Sequence, residues 1–204
     1  MDIGQVDIGN LPLILASASP RRQELLAQAG YKFTVVPSSV DEAVFSTEKV
    51  TSIEYAKQLA LAKAADVAQK YLDSIVIGAD TVVDFGGQII GKPGDAKHAE
   101  EITRMLFSKP HKVITGLALI CKSRNLKILE ADTTIVYPRK LTDIQIAEHI
   151  KSGIWQDKAG AYSIRDNDPF VDHIDGSLTN VMGMPMELFE RFFRLDSRFR
   201  GNDK

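Results

Sequence analysis

The sequence predicts an α/β protein: a mixed twisted sheet with flanking helices, arranged as two lobes around a central cleft. Three observations predict it. Short apolar runs that read as strands alternate with capped helical segments through the first half of the chain. Residues 75–83, Ile-Val-Ile-Gly-Ala-Asp-Thr-Val-Val, form a near-continuous apolar strand. Residues 111–122 and 126–137 read as two strands turned at Ser123-Arg124-Asn125, so part of the sheet is a hairpin.

Residues 1–11 read as a flexible lead-in and 12–193 as one domain. The apolar run 13–16 is a strand that ends in small residues and gives way to a helix through 23–29. Ser19 suits the cap of that helix and Pro20 its first position. Residues 31–36 form the next strand, which stops at Pro37 before the polar loop Ser38-Ser39-Val40-Asp41-Glu42. Thr51-Ser52-Ile53-Glu54 is a capping box. It opens a helix in which Ile53, Ala56, Leu59, Ala60, Lys63 and Val67 fall near one face. After the strand at 75–83, Gly86-Gly87 turns the chain and 88–93 return it. Asp95 caps a helix running to about Phe107, and Thr142-Asp143-Ile144-Gln145 is a second capping box, opening a helix to about Lys151. The loop 157–162 leads into short strands around Phe170-Val171 and Ile174. Residues 186–193 close the fold as a helix, and the polar, basic tail 194–204 is expected to fray.

A chain of 204 residues buries a full core. The net charge of −2 gives no global basic field, so neither nucleic acid nor membrane is expected as a partner. The single cysteine, Cys121, reads as a buried strand residue and allows no disulfide within the chain. No apolar run approaches the ~20 residues of a membrane span, and no basic apolar signal pattern opens the sequence, so no export is expected. There is no P-loop and no Gly-x-Ser-x-Gly elbow. The four histidines, His98, His111, His149 and His173, lack ligand spacing and read as surface or loop positions. Trp155 and Tyr162 suit either base stacking or structural packing.

Two anomalies point to chemistry. Arg21 and Arg22 fall in the first turn of a helix, where the dipole disfavours cations by roughly 0.3–1 kcal/mol each. An anion between them and the helix resolves the conflict, and phosphate suits both arginine and a helix N-terminus. Asp80 is a carboxylate inside an apolar strand, costly unless paired, hydrogen-bonded or metal-bound. Lys63, charged and close to an apolar stripe, either snorkels or meets a buried anion. Together Arg21, Arg22, Lys63 and Lys92 suit a polyphosphate. Among Asp41, Glu42 and Asp80, one or two carboxylates suit Mg²⁺ or Mn²⁺, and another suits taking a proton from water. Whether Asp80 is the base or chiefly a metal ligand stays open at this level. Asp157-Lys158 forms a third polar group.

These segments, taken together, resemble the Maf family of nucleoside triphosphate pyrophosphatases. The resemblance rests on Leu15-Ala16-Ser17-Ala18-Ser19-Pro20-Arg21-Arg22, Asp41-Glu42, Leu61-Ala62-Lys63-Ala64, Gly78-Ala79-Asp80-Thr81-Val82-Val83 and Gly91-Lys92-Pro93. It continues through His111-Lys112-Val113-Ile114-Thr115-Gly116, Asp157-Lys158-Ala159-Gly160-Ala161-Tyr162 and Asn180-Val181-Met182-Gly183-Met184-Pro185. It implies a Maf/ITPase-like fold and cleavage of a nucleoside triphosphate between the α- and β-phosphates. It also implies a divalent cation (Mg or Mn) and a cytoplasmic homodimer. By position, Asp80 matches the family's proposed proton acceptor, and Ser17, Arg21 and Arg22 its phosphate-binding loop. Glu42, Lys63 and Lys92 match further active-site positions, with Glu42 and Asp80 the metal pair. Thr81 and Arg165 fall at substrate-binding positions.

Ala79-Asp80-Thr81 resembles the branch acting on dTTP and UTP, not the one favouring 7-methyl-GTP, which has Ser-Asp-Gln there. That branch continues as Gly-Ile-Gln-Gly after Ala-Tyr, whereas this chain has Ser163-Ile164-Arg165-Asp166. Arg165 only donates hydrogen bonds, where glutamine both donates and accepts. Arg165 either meets the base or pairs with Asp166. The alternatives to turnover of dTTP and UTP are a sanitising activity on modified pyrimidine triphosphates and a non-catalytic regulator of septum formation that binds a nucleotide or protein partner.

Overall fold

The computed structural model describes residues 11–156, 158–162, 164 and 170–193. The lead-in expected at 1–11 lies outside them except for Leu11, and the tail expected at 194–204 lies outside them entirely.

The early part of the chain builds parallel strands through helical crossovers. Strand β1 (Leu13–Leu15) leads into α1 (Pro20–Gln28), β2 (Phe33–Val35), α2 (Ser52–Ala68) and β3 (Ile75–Phe85). The remainder is β4 (Gln88–Ile90), α3 (Ala96–Leu106), β5 (His111–Cys121), β6 (Leu126–Pro138), α4 (Asp143–Ser152), β7 (Val171–Asp175), α5 (Leu178–Val181) and α6 (Met186–Phe193). The sheet order is β2-β1-β3-β5-β6-β7, with β4 also on β3. The β1 pairings to β2 and β3 are parallel, and those of β4 to β7 are antiparallel, so the sheet is mixed as expected.

Both capping boxes form, at Thr51 with Glu54 and at Thr142 with Gln145. Asp95 caps α3 by accepting from the His98 N–H. Ser19 sits at the N-cap of α1, but its side chain caps nothing, so that helix begins without a side-chain cap or an acidic residue in its first turn. Ile53 departs from its expected place: it lies at the outset of α2, 46% exposed, while Ala56, Leu59, Ala60 and Val67 are buried. His111 and His149 also depart, since both are buried. His111 opens a central strand and His149 lies on the inner face of α4, where each ring finds polar partners.

One core cluster packs α1 and α6 on one face of the sheet through Leu26, Ile77, Leu117, Leu119 and Phe189. Another packs α2 on the opposite face through Ala60, Ala64, Val67, Val76 and Ala118. The α2 backbone comes very close to the sheet. A Cβ added at Gly78 would lie 2.2 Å from the Ala60 carbonyl oxygen, and one at Gly116 would lie 2.3 Å from that of Ala56. Only glycine admits this approach, because any other side chain would occupy the space of the helix backbone.

Two pairings share one edge of β3. Residues 75–77 pair with β1 and 83–85 with β4, while β5 runs along the other edge from 76 to 84. Between β1 and β4, residues 78–82 face no described strand on that edge. A crevice beyond the carboxyl end of a parallel strand is where open α/β sheets bind ligands.

Candidate active site

A cleft of about 1050 Å³ opens at this gap. Its lining includes the β1–α1 turn, Glu42 and Lys63, residues 80, 81 and 83 of β3, Lys92, and parts of 156–164 and 181–183. The alternation of β3 turns Asp80 toward the α2 face, with Gly78, and Thr81 toward the opposite face.

Lys63 is the hub on the α2 side. Its Nζ donates to Asp80 Oδ1 at 2.6 Å and lies 2.7 Å from Glu42 Oε1. The close seating of α2 on Gly78 and Gly116 brings the lysine there, one turn beyond Ala60. Glu42 opens a single 3₁₀ turn, Glu42–Val44, whose cap is the Asp41 carboxylate accepting from the Ala43 N–H. Lys92 Nζ stands 3.9 Å from Glu42 Oε2 and is exposed. The two carboxylates differ in their ease of ionisation. Burial raises the Asp80 pKa, and the opposing pull of Lys63 and Arg22 does not reverse it. At Glu42 burial also raises the pKa, but the hydrogen bond and charge of Lys63, with Lys92 and Arg22, outweigh it and leave the group more acidic than usual.

Arg22 is the hub on the other face. Its Nε donates to the Gly183 carbonyl at 2.8 Å, Nη1 to Ser17 Oγ at 3.1 Å and Nη2 to Thr81 Oγ1 at 3.3 Å. Three of its five N–H groups are thereby committed, and one on each terminal nitrogen has no partner among the described residues. Burial lowers the Arg22 pKa, against the charges of Asp80 and Glu42, which raise it. Gly183 has φ +99°, and a Cβ there would lie 3.2 Å from Thr81 Oγ1, so glycine suits the position on both counts. Ser17 Oγ also accepts from the Ser19 N–H at 3.2 Å.

Two residues beyond Thr81 the lining turns apolar. Val83 and Val113 face each other across β3 and β5 and share the cleft with Tyr162, Ile164 and Val181. Tyr162 is held from behind: His111 Nε2 accepts from its hydroxyl at 2.7 Å, while His111 Nδ1–H donates to the Leu106 carbonyl at 3.2 Å. Burial lowers the His111 pKa to about 4, in keeping with a neutral ring. Trp155 donates to the Ile150 carbonyl at 2.9 Å, which makes it a packing residue.

The cleft thus gathers Ser17, Arg21, Arg22, Glu42, Lys63, Asp80, Thr81 and Lys92. Arg165, Asp157, Ser163 and Asp166 lie outside the described residues. Sequence reasoning missed Gly183, whose contribution is a backbone carbonyl, and His111. The signal for His111 was a polar residue opening a buried strand.

The oxygen-rich pair Asp80 and Glu42 fits a hard divalent cation. Both are drawn to one cationic nitrogen, and Asp80 Oδ2 takes no hydrogen bond among the described residues. One or two carboxylates beside phosphates are what Mg²⁺ requires. No cluster of three or more His, Cys, Asp or Glu residues suited to a metal occurs among the described residues, and no described helix is long and apolar enough to cross a membrane.

A dTTP/UTP pyrophosphatase of Elusimicrobium minutum is 44% identical over 185 residues, covering 90% of this chain and 98% of the relative. One of Geotalea uraniireducens is 46% identical over 175 residues, with 85% and 89% covered. One of Alkaliphilus oremlandii is 44% identical over 177 residues, with 85% and 90% covered. A family model described as Maf-like protein matches residues 12–195, and the chain belongs to that family.

Proposed function

We propose that this chain is a nucleoside triphosphate pyrophosphatase that hydrolyses dTTP and UTP to the monophosphate and pyrophosphate. The observation that carries the reading is the buried Asp80, 2.6 Å from Lys63, in the same cleft as the partly committed guanidinium of Arg22. The names of the relatives support the substrate, and the apolar slot of Val83, Val113 and Ile164 suits a pyrimidine ring.

Arg22, Lys63 and Lys92 place positive charge where a triphosphate brings negative charge, and Ser17 has a hydroxyl proton to donate. Asp80, whose pKa burial raises, accepts the proton of a water that attacks the α-phosphorus. A new P–O bond forms there, the bond to the α,β-bridging oxygen breaks, and pyrophosphate leaves with that oxygen. The cations stabilise the charge that develops on the leaving group. A divalent ion held by Asp80 and Glu42 would neutralise phosphate charge and acidify the attacking water. The Mg or Mn requirement, a homodimer and a cytoplasmic location belong to the same proposal and rest on the family resemblance.

The test is pyrophosphate release from dTTP, UTP, CTP, GTP and 7-methyl-GTP, each with Mg²⁺ or Mn²⁺ and with chelator. Turnover of dTTP and UTP above the rest, abolished by chelator, is expected. Nucleotide binding without release from any triphosphate would contradict the proposal and favour a regulator.

A further inference from the structure

Beneath Arg22, on the sheet face away from α2, lies a pair of threonine hydroxyls, one of them buried, that the reaction does not use. Thr81 and Thr115 stand opposite each other in the β3–β5 register. Thr115 is fully buried. Its hydroxyl donates to the Asn180 carbonyl at 2.9 Å. A hydroxyl has one proton, so Thr115 Oγ1 can only accept in its 2.9 Å contact with Thr81 Oγ1. Thr81 therefore donates to Thr115, and its oxygen is left to accept from Arg22 Nη2. The Asn180 carbonyl also accepts from the Gly183 N–H at 2.9 Å, and the Gly183 carbonyl accepts from Arg22 Nε. The bonds close a ring through Arg22, Thr81, Thr115, Asn180 and Gly183.

We infer that Thr115 is a positioning residue for the triphosphate reaction, fixing the Thr81 hydroxyl as an acceptor so that Arg22 is held with its remaining N–H groups free for phosphate. The inference rests on the reading of the cleft as a triphosphate site. It also reassigns Thr81: with its only proton committed to Thr115, Thr81 orients Arg22 and does not donate to substrate. Without the Thr115 hydroxyl, the Thr81 proton is free to rotate toward the guanidinium, and the ring opens.

The experiment compares wild type with Thr115→Val, Thr115→Ser, Arg22→Lys and the Thr115→Val/Arg22→Lys double variant. Turnover of dTTP and calorimetric binding of inorganic tripolyphosphate are measured for each. Thr115→Val is expected to lose about tenfold in both, a magnitude typical of losing one hydrogen bond to a charged group. Thr115→Ser should restore both. In the Arg22→Lys background Thr115→Val should add almost nothing, because the residue acts through the guanidinium. A Thr115→Val variant with unchanged turnover and binding, or a loss that persists undiminished beside Arg22→Lys, would overturn the inference. If Thr115→Val does not fold, Thr115→Ala is read in its place. Absent turnover in wild type would count against the proposed reaction, and tripolyphosphate binding across the same variants would still decide the role of Thr115.

Discussion

At the scale of single residues, the site depends on two cations that each serve several partners. Lys63 joins Asp80 and Glu42 through one nitrogen. Replacing it by methionine keeps the stem and leaves a buried carboxylate without its cation. We expect Lys63→Met to lose roughly 100-fold or more in kcat/KM and about 2 kcal/mol of stability near neutral pH. Steady-state kinetics and denaturant melts would check both figures. Arg22 makes three directional bonds with its fork, which a single ammonium cannot reproduce. The weak points were visible in the sequence as misfits: Asp80 in an apolar run, Lys63 beside an apolar stripe, and arginines at the wrong end of a helix. Thr115 was not visible in this way. A threonine is an ordinary strand residue, and its role appears only when register places it against Thr81.

At the scale of elements, the seating of α2 decides whether Lys63 reaches Asp80. Gly78→Ala would put a methyl 2.2 Å from the Ala60 carbonyl and lift the helix. A loss of roughly 1–3 kcal/mol together with a fall in kcat is expected, measured by melting and turnover of the same preparation. Thr51→Ala, at the remote N-terminus of α2, removes a capping box and should cost about 1 kcal/mol while leaving kcat unchanged. Helix starts were legible because caps are local: Thr51 with Glu54, Thr142 with Gln145, and Asp95. The docking of α2 was not, because nothing in its own sequence says that Gly78 and Gly116 lie beneath Ala60 and Ala56. Ile53 departs from its expected face for a related reason. Helical periodicity assigns it to a face, yet in the first turn the residue turned to the sheet is Ser52, which is buried and donates to the Asp84 carboxylate of β3.

At the scale of the whole molecule, the mixed sheet creates the gap between β1 and β4 along β3, and the cleft opens there. The walls are tied together by buried histidines that the sequence suggests are surface or loop positions. His111 holds Tyr162, and His149 Nε2 donates to the Ala161 carbonyl at 2.8 Å. Composition could not reveal them, since an imidazole whose ring N–H meets a backbone carbonyl buries well. The His111 pKa falls from 6.5 to about 4 in the folded state because of burial. Between those values the unfolded chain binds the proton and the folded chain does not, so stability falls as pH falls. About 3 kcal/mol should be lost from pH 6.5 to 4, and urea melts of His111→Gln should show a flatter dependence. The proposed reaction turns on Asp80 as the proton acceptor of a triphosphate site. Pyrophosphate release from dTTP by Asp80→Asn, with folding verified by circular dichroism, tests it most directly. A fall of roughly 100-fold or more is predicted, and a folded variant that turns over dTTP at the wild-type rate would contradict it.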